Sequence, residues 1–320
     1  MPEYNMGKRT EEILYRLLRA LFLVLGLIPR LWIRPVAKLA GHLWFAVDKR
    51  HRELAIDNMA KAYRLHRDSP WVRRIARENF VHLATVALEM PWVYRMGKKS
   101  TRNHVVWKDA HYIKPAFEGN KPVILITGHI GNWELMANAL AMDFGPDLYV
   151  IVRTLDFPPL DRIVQEMRTR HGPKVMDKNS VADRVQELLS ENRLVGILMD
   201  QNASWYDGVY VPFFGRTACT TKGVAMFSLF ANAAVMPIFN KRLPDGRYEI
   251  RIEPAIYPVN TGDFKKDLVT NTIRYNRIIE AAVRDAPEQW LWVHRRWNLK
   301  NIPEKALKKL GRIPGADDEV

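Results

Sequence analysis

The stretch KPVILITGHIGNWELMANAL, residues 121–140, joins an apolar run to a helical one through a short glycine-containing segment. The run PVILIT has the length and the β-branched content of a buried strand, whereas the residues from about Asn132 onward are typical of a helix. His129 is therefore expected on the loop that connects strand to helix. Loops at the carboxyl ends of strands build the active sites of open α/β sheets, so this stretch indicates both a fold class and a functional residue.

The same alternation continues outward from this stretch and predicts an α/β fold, a mixed sheet covered by helices. Strand-like runs such as LYVIVR and LVGILMD are separated by helical stretches, and RLPDGRY is a hairpin signal that predicts an antiparallel pair at one end of the sheet. The predicted organisation is an N-terminal helical, membrane-associated region over residues 1–100, one catalytic α/β domain over residues 101–298, and a polar tail over residues 299–320.

The charge of the chain indicates an anionic partner. The 320 residues carry a formal net charge of +14, and the first 100 residues hold 19 basic and 9 acidic side chains. Such an excess attracts nucleic acid, a phosphorylated substrate or an anionic membrane face. A nucleic-acid-binding protein would show a recognisable module or interleaved basic and aromatic residues, and neither is evident. A lipid surface or a phosphorylated lipid is the better expectation.

The N-terminal segment favours the membrane among these partners. Its unbroken apolar run extends only from Ala20 to Pro29, well short of the roughly 20 residues that span a bilayer, and no signal-peptide cleavage site follows. We expect a helix over Ala20–Ile28 that lies in the headgroup region of the membrane. A core helix and a tilted single-pass anchor are the alternatives. The flanking residues expected at this boundary are Arg16, Arg19, Arg30, Arg34, Trp32 and Trp44.

His129 and Glu134 form the candidate catalytic pair. With His129 in the loop and Glu134 in the first helical turn, we expect the carboxylate to hold one ring nitrogen and leave the other as a general base. Taken alone, the spacing is more typical of a capping histidine with a surface glutamate in the first turn. It is not the H-E-x-x-H pattern of zinc peptidases, and the single cysteine, Cys219, excludes a multi-cysteine metal site and is expected to be buried.

Five ordered blocks carry a resemblance to a known family: GHIGNWE, VIVRTLDFPPLDRIVQEMRTRHG, GILMDQNASWYDGVYVPFFGRTACTTKGVAMF, PEQWLWVHRRW and, upstream, RELAIDNMAKAYR. In order and spacing the chain resembles the bacterial lipid A biosynthesis late acyltransferases, the lauroyl and myristoyl transferases of the glycerolipid acyltransferase superfamily. The resemblance extends from about residue 10 to residue 298. It implies the glycerolipid-acyltransferase-like fold, no cofactor and no metal.

The resemblance also implies roles for individual residues. His129 would deprotonate the acceptor hydroxyl, with Glu134 as its orienting partner. The substrate-binding residues it implies are Arg153, Arg168, Asp200, Gln201 and Arg216. The implied partners are acyl carrier protein as donor, a Kdo-bearing lipid A precursor as acceptor and the cytoplasmic face of the inner membrane, with no nucleic acid.

Several alternatives stay open at this point. The acceptor is either the lipid A precursor or another glycolipid or lysophospholipid, and the donor is either an acyl carrier protein or acyl-CoA. Trp290, Trp292 and Trp297 either pack in the core or border a lipid-facing entrance, and His294 is expected to be structural. A histidine-dependent hydrolase would need a nucleophile elbow such as G-x-S-x-G, which the sequence lacks.

Overall fold

The structure, a computed structural model, describes residues 7–119, 121–177 and 181–299. Five helices precede the sheet: α1 (Lys8–Leu25), α2 (Arg30–Val47), α3 (Lys49–Tyr63), α4 (Pro70–Arg95) and α5 (Lys98–His104). The later helices are α6 (Lys114–Phe117), α7 (Trp133–Asp143), α8 (Pro158–Thr169), α9 (Ala182–Ser190), α10 (Gly223–Ala231) and α11 (Phe264–Asp285). The division at residue 100 remains a prediction, and from residue 300 the predicted tail lies outside the described residues.

The strands are β1 (Val105–Lys108), β2 (Val123–Thr127), β3 (Leu148–Val152), β4 (Lys174–Asp177), β5 (Leu194–Leu198), β6 (Gly208–Phe213), β7 (Arg216–Thr221), β8 (Ala234–Arg242) and β9 (Tyr248–Ile252). Seven of them form one sheet in the order β1-β9-β8-β2-β5-β3-β4, and β6 and β7 form a separate hairpin. All neighbours in the large sheet are parallel except β8 and β9, which are the antiparallel pair expected around RLPDGRY. The predicted mixed α/β sheet is therefore confirmed.

The central strand β2 explains why this sheet is covered on both sides. All five of its residues are buried. Because successive side chains of a strand point to opposite faces, Ile124 and Ile126 pack into one apolar cluster while Val123 and Leu125 pack into another. Helices pack over both clusters, and the ends of the strands remain as the place where polar side chains meet.

The first two helices differ from the rest in what they expose. Only Tyr15 of α1 and three residues of α2 are buried. Helix α1 ends at Leu25 and α2 begins at Arg30. The predicted single helix over Ala20–Ile28 is therefore wrong, because this segment contains the end of α1 and most of the break between the two helices. Among the described residues no single helix is long and apolar enough to cross a membrane; α1 and α2 reach that length and composition only as a pair, bent by 114°.

Candidate active site

The loop between β2 and α7 carries His129, as the sequence predicts. Two glycines make its tight turn possible. A side chain on Gly128 would lie 3.1 Å from Oδ2 of Asp200, and one on Gly131, where φ is +62°, would lie 2.1 Å from the Asn240 carbonyl oxygen. Asn132 then caps α7, its Oδ1 accepting a hydrogen bond from the Leu135 N–H at 3.2 Å. The loop is thus closely packed on both sides of His129.

Asp200 is the direct partner of the His129 ring. Strands β2 and β5 are parallel neighbours, so the residues that follow Thr127 and Leu198 meet at the same edge of the sheet. Oδ1 of Asp200 lies 2.8 Å from Nδ1 of His129. Oδ2 accepts from the backbone N–H of His129 at 2.8 Å and from Nε1–H of Trp290 at 2.6 Å. Three donors therefore converge on one buried carboxylate.

The electrostatics of Asp200 keep it ionised. Burial by itself raises the pKa of this carboxyl, but the charge and hydrogen bonds of His129, together with the Trp290 indole, outweigh burial and lower the pKa to about 2. An ionised Asp200 accepts a hydrogen bond from a protonated Nδ1 of His129. In the neutral ring the lone pair is then on the second nitrogen, Nε2. This tautomer is the one required of a general base.

Glu134 does not occupy the position that the sequence predicts. Its carboxylate makes a two-point ion pair with Arg168 of α8, with Nε to Oε2 at 2.9 Å and Nη2 to Oε1 at 2.6 Å. As the second residue of α7, Glu134 projects toward α8, and both of its oxygens are engaged there. The expected hydrogen bond between Glu134 and His129 is therefore corrected: Asp200 holds the ring, and Glu134 holds Arg168.

The remaining nitrogen of His129 faces a cleft. Nε2 lies 3.3 Å from the side-chain nitrogen of Gln201, an amide that can donate to it. The ring of Trp133 stands edge-on at 5.0 Å between centroids and limits how the imidazole can turn. With one nitrogen fixed by Asp200 and the other turned to the cleft, His129 is arranged to take a proton from a bound hydroxyl.

The cleft in front of His129 has a volume of about 1030 Å³. Part of its wall is apolar and comes from the ends of β3 and β5 and from α10: Val150, Val152, Ile197, Val224 and Phe227. The polar part of the wall includes Gln201, three cations and three carboxylates: Arg153, Arg168, Lys222, Glu134, Asp183 and Asp207. A cleft of this kind suits a molecule that has both an alkyl chain and anionic groups.

The predicted arginines separate into three environments. Arg168 is largely buried in the cleft wall, whereas Arg153 stands half exposed at the rim beside Asp156, 2.6 Å away. Arg216 does not line the cleft. Its guanidinium stacks over the ring of Trp297 at 4.6 Å, at the start of β7. The hairpin directs Arg216 toward the C-terminal tryptophan, and its role as a substrate-binding residue stays a prediction.

The C-terminal block 290–298 forms the back of the site. Trp290, Trp292 and Trp297 are all buried, which decides between core and entrance in favour of the core. His294 accepts a hydrogen bond from the Asn202 N–H at 3.0 Å. Burial, the largest effect, lowers the pKa of His294 to about 4, which fits the structural role expected of it. Cys219 is buried as predicted, and burial raises the pKa of its thiol.

Three residues at the site were not found from the sequence: Trp133, Lys222 and, as a donor to Asp200, Trp290. A signal for Asp200 as the ring partner was available, because it follows an apolar strand directly, as His129 does. Two such residues meet whenever their strands are parallel neighbours. No comparable signal marks Trp290, whose position depends on the path of the chain after α11.

Comparisons with known proteins identify the family and several relatives of this chain. The sequence profile of the family described as bacterial lipid A biosynthesis acyltransferase matches residues 8–299. The lipid A biosynthesis lauroyltransferase of Escherichia coli K12 is 24% identical over 232 residues, 71% of this chain and 73% of that protein. The palmitoleoyltransferase of the same organism is 23% identical over 263 residues, 81% and 82% of the two chains.

A further relative has a different acceptor in its name. The phosphatidylinositol mannoside acyltransferase of Mycolicibacterium smegmatis is 23% identical over 207 residues, 63% of this chain and 65% of that protein. The profile match, by contrast, extends from the first turn of α1 to the last described residue and includes every element of the cleft. The chain therefore belongs to the bacterial lipid A biosynthesis acyltransferase family of O-acyltransferases.

Proposed function

We propose that this protein transfers a fatty acyl chain from acyl carrier protein to a hydroxyl of a Kdo-bearing lipid A precursor, with His129 as general base. The observation that carries the proposal is the placement of the His129 ring, with Asp200 on Nδ1 and the cleft in front of Nε2. The family match supports the lipid A acceptor class. The apolar part of the cleft lining supports an acyl chain as one occupant, and its two arginines, Arg153 and Arg168, support a phosphorylated sugar as the other.

The proposed reaction moves one proton through His129 and one acyl group from the thioester to the acceptor hydroxyl. Nε2 of His129 takes the proton of the acceptor hydroxyl as its oxygen attacks the thioester carbonyl carbon. The tetrahedral intermediate collapses, the carbon–sulfur bond breaks, and the imidazolium returns its proton to the departing thiol. Asp200 stays ionised throughout and stabilises the imidazolium without taking its proton. The products are an ester and the free thiol of the carrier.

The Glu134–Arg168 pair has a binding role in this proposal. Both Glu134 oxygens fix the guanidinium, and Nη1 of Arg168 has no hydrogen-bond partner among the described residues. A planar, always-charged guanidinium presented in a partly apolar cleft suits a phosphate or carboxylate of the acceptor. Glu134 thus supports acceptor binding through Arg168 and leaves the orientation of His129 to Asp200.

Arg168→Lys is expected to lower kcat/KM for the acceptor at least about 10-fold, because lysine keeps the charge but loses the two-point contact with Glu134. Arg168→Ala is expected to lower it further. Arg153→Ala is the matched control, since Arg153 is more exposed and pairs with a surface aspartate, and it should cost less. Steady-state kinetics with varied acceptor measure the difference. An Arg168→Lys enzyme with unchanged kcat/KM would contradict the binding role.

The decisive test of the function is transfer by the purified protein. Acyl carrier thioester and a tetra-acylated Kdo–lipid A precursor are supplied together, and the product is identified by mass. A penta-acylated product that forms with the wild type and not with His129→Ala is expected. Acyl-CoA in place of the carrier, and a lysophospholipid or a mannolipid in place of the precursor, test the alternative donor and acceptors. Transfer to a lysophospholipid alone would reject the proposal.

We also propose that the α1–α2 pair lies on the cytoplasmic face of the inner membrane. Exposed apolar side chains follow helical spacing along both helices: Ile13, Leu17, Leu21 and Val24 on α1, then Trp32, Val36, Leu39, Leu43 and Val47 on α2. This apolar face argues against the core-helix interpretation. A face of this length, in a chain of net charge +14 whose proposed acceptor is a lipid, supports an anionic lipid surface as its occupant.

The arginines expected at the headgroups have different roles. Arg16 is exposed, with Glu12 as its neighbour, and Arg19 reaches Glu166. Arg30 and Arg34 instead bond within the protein, Arg30 to Glu89 and Arg34 to the carbonyl of Pro244. The expectation is corrected for Arg30, which fixes the corner of the helix pair because a buried carboxylate lies within its reach. For the exposed Arg16, Arg19 and Arg34 it stays a prediction.

Leu17→Glu combined with Leu39→Glu is expected to reduce binding to vesicles of mixed neutral and anionic phospholipid by about 100-fold or more. Full burial of one leucine contributes about 1.5–3 kcal/mol, and two charges are added to the apolar face. Val269→Glu, on the exposed surface of α11, is the matched control and should bind as the wild type does. Co-sedimentation measures both. High salt should release only part of the wild type, and complete release by salt alone would contradict the apolar contribution.

A further inference from the structure

A buried carboxylate, Glu89 of α4, lies behind the loop that carries His129. Its side chain is almost completely shielded from solvent. Nη2 of Arg30 donates to Oε1 at 2.9 Å. Nη2 of Arg242 at 3.1 Å, Nδ2 of Asn132 at 3.0 Å and the hydroxyl of Tyr248 donate to Oε2. Burial alone would raise the pKa of Glu89, but Arg242 and Arg30 outweigh it, and the pKa is lowered. The carboxylate is charged and fully hydrogen-bonded.

Stability alone is a poor explanation for such a group. Replacing a buried ion pair with apolar residues of similar volume is often neutral or stabilising, because taking charges out of water is costly. A network that holds its members in one arrangement does, however, make the attached backbone rigid. The question is therefore which backbone the Glu89 network holds.

Two branches of the network end on the segment that carries His129. The first is direct: Asn132, which caps α7 with its oxygen, donates its Nδ2 to Glu89. The second passes through Arg242, whose Nη1 lies 3.3 Å from Nδ1 of His82, while Nε2 of His82 lies 3.2 Å from the carbonyl oxygen of Gly131. His82 is buried, and burial lowers its pKa, so it is a neutral ring that accepts from Arg242 and donates to Gly131.

These contacts hold the end of the loop next to α7, whereas Asp200 holds the part that carries His129. Asp200 fixes the ring and the backbone N–H of His129, at the start of the turn. Glu89 fixes Asn132 and Gly131, at its end. A general base has to lie within hydrogen-bond reach of the hydroxyl it deprotonates, and misplacement by about 1 Å can cost about 100-fold in rate. Both ends of the turn therefore contribute to where Nε2 lies.

We propose that Glu89 is a positioning residue for His129, holding Asn132 directly and Gly131 through Arg242 and His82. The proposal rests on the proposed function in one respect, that His129 is the base. A substitution that breaks a hydrogen bond of the network should lower the rate of the chemical step. Substrate binding should stay unchanged, because the residues of the network lie behind the loop and not in the cleft lining.

The first test is Glu89→Gln, which keeps the volume of the side chain and removes the charge between two arginines. We expect kcat to fall by about 10- to 100-fold while KM for donor and acceptor changes by less than about two-fold. Asp267→Asn is the matched control. Asp267 is a comparably buried carboxylate that accepts from the N–H and hydroxyl of Thr261, in a turn before α11. This control should lose stability and retain kcat.

A double-mutant cycle tests the route through Asn132. Serine at position 132 can still cap α7 but lacks the amide donor that reaches Glu89. Asn132→Ser should lower kcat, and the double variant with Glu89→Gln should fall little further than the lower single variant. Additive effects, or a Glu89→Gln enzyme whose kcat is within about two-fold of the wild type, would overturn the proposal. If Glu89→Gln does not fold, Tyr248→Phe, which removes one donor to Glu89, takes its place in the cycle.

A measurement without turnover separates this proposal from the proposed function. In protein with ¹⁵N-labelled histidine, the ring signals of His129 are assigned by their loss in His129→Gln. We expect Glu89→Gln to shift these signals and Asp267→Asn to leave them in place. A wild type that acylates none of the tested acceptors rejects the proposed function, yet the ring signals still test the positioning. Unchanged His129 signals in Glu89→Gln would overturn it.

Discussion

His129→Ala is expected to fold and to lower the rate of acyl transfer by about 10²- to 10⁴-fold, the usual contribution of a general base. The loss follows from the geometry, since Nε2 is the nitrogen that faces the cleft and the Asp200 carboxylate fixes it in the accepting tautomer. Initial rates with carrier thioester and lipid A precursor measure the effect. A variant that retains more than about a tenth of wild-type activity would remove His129 from the mechanism.

The control for His129→Ala is His294→Gln. His294 is the nearest comparison, a partly buried imidazole in the same part of the structure that accepts a hydrogen bond from Asn202. Its glutamine variant keeps an acceptor and should retain most of the activity. Thermal unfolding of both variants shows whether each is folded. If both are folded, loss of activity in His129→Ala but not in His294→Gln is a catalytic loss and not a folding defect.

Asp200→Asn is expected to lower kcat by about 10²- to 10⁴-fold, as large an effect as that of His129→Ala. The amide can turn its nitrogen toward Nδ1, which then has to accept, so that the proton moves to Nε2 and the base is lost. The amide also offers only one acceptor oxygen to the donors His129 and Trp290. Trp290→Phe removes a single donor from Asp200 and is expected to have a smaller effect in the same direction.

The pH dependence of stability gives an independent check on Asp200. Its pKa is about 2 in the folded protein and about 3.9 in an unfolded chain. A lowered pKa contributes stability that is present above pH 4 and is lost as the pH falls from about 4 to 2. Asp200→Asn should therefore unfold with a weaker pH dependence in that window. Equal slopes of unfolding free energy against pH for wild type and variant would contradict the buried, ionised state.

The position of His129 could be predicted from the sequence because the signal is local. A buried strand, two glycines and a capped helix specify a turn, and the turn specifies where the histidine lies. The partner of His129 is not local. Asp200 meets the ring only because β5 lies beside β2, and the direction of Glu134 depends on α8 packing against α7. The sequence-based prediction therefore identified both carboxylates but paired the ring of His129 with Glu134 instead of Asp200.

The same distinction explains where two of the predicted arginines lie. Arg216 belongs to a block that resembles the family, but the hairpin of β6 and β7 was not predicted, and that hairpin turns the guanidinium onto Trp297. Arg30 was expected at the membrane because it flanks an apolar run. Its burial depends on Glu89, which is far from it in sequence and has a local sequence pattern that indicates only an ordinary helix. Contacts between distant segments decide each case.

The packing of α1 on α8 has a consequence for how a lipid reaches the base. Tyr15 of α1 donates to Glu166 of α8, and Arg168, two residues further along the same helix, lines the cleft on its other side. Two packed helices, α1 and α8, each about 10 Å across, thus lie between the proposed bilayer contact and the reaction site. Moving an alkyl chain into water costs about 0.8 kcal/mol per methylene group, a prohibitive sum for a multi-chain lipid. For the proposed acceptor and the proposed bilayer contact, the sugar hydroxyl would enter the cleft while the chains of its own molecule stay in the bilayer, and the search for substrate would become diffusion in two dimensions.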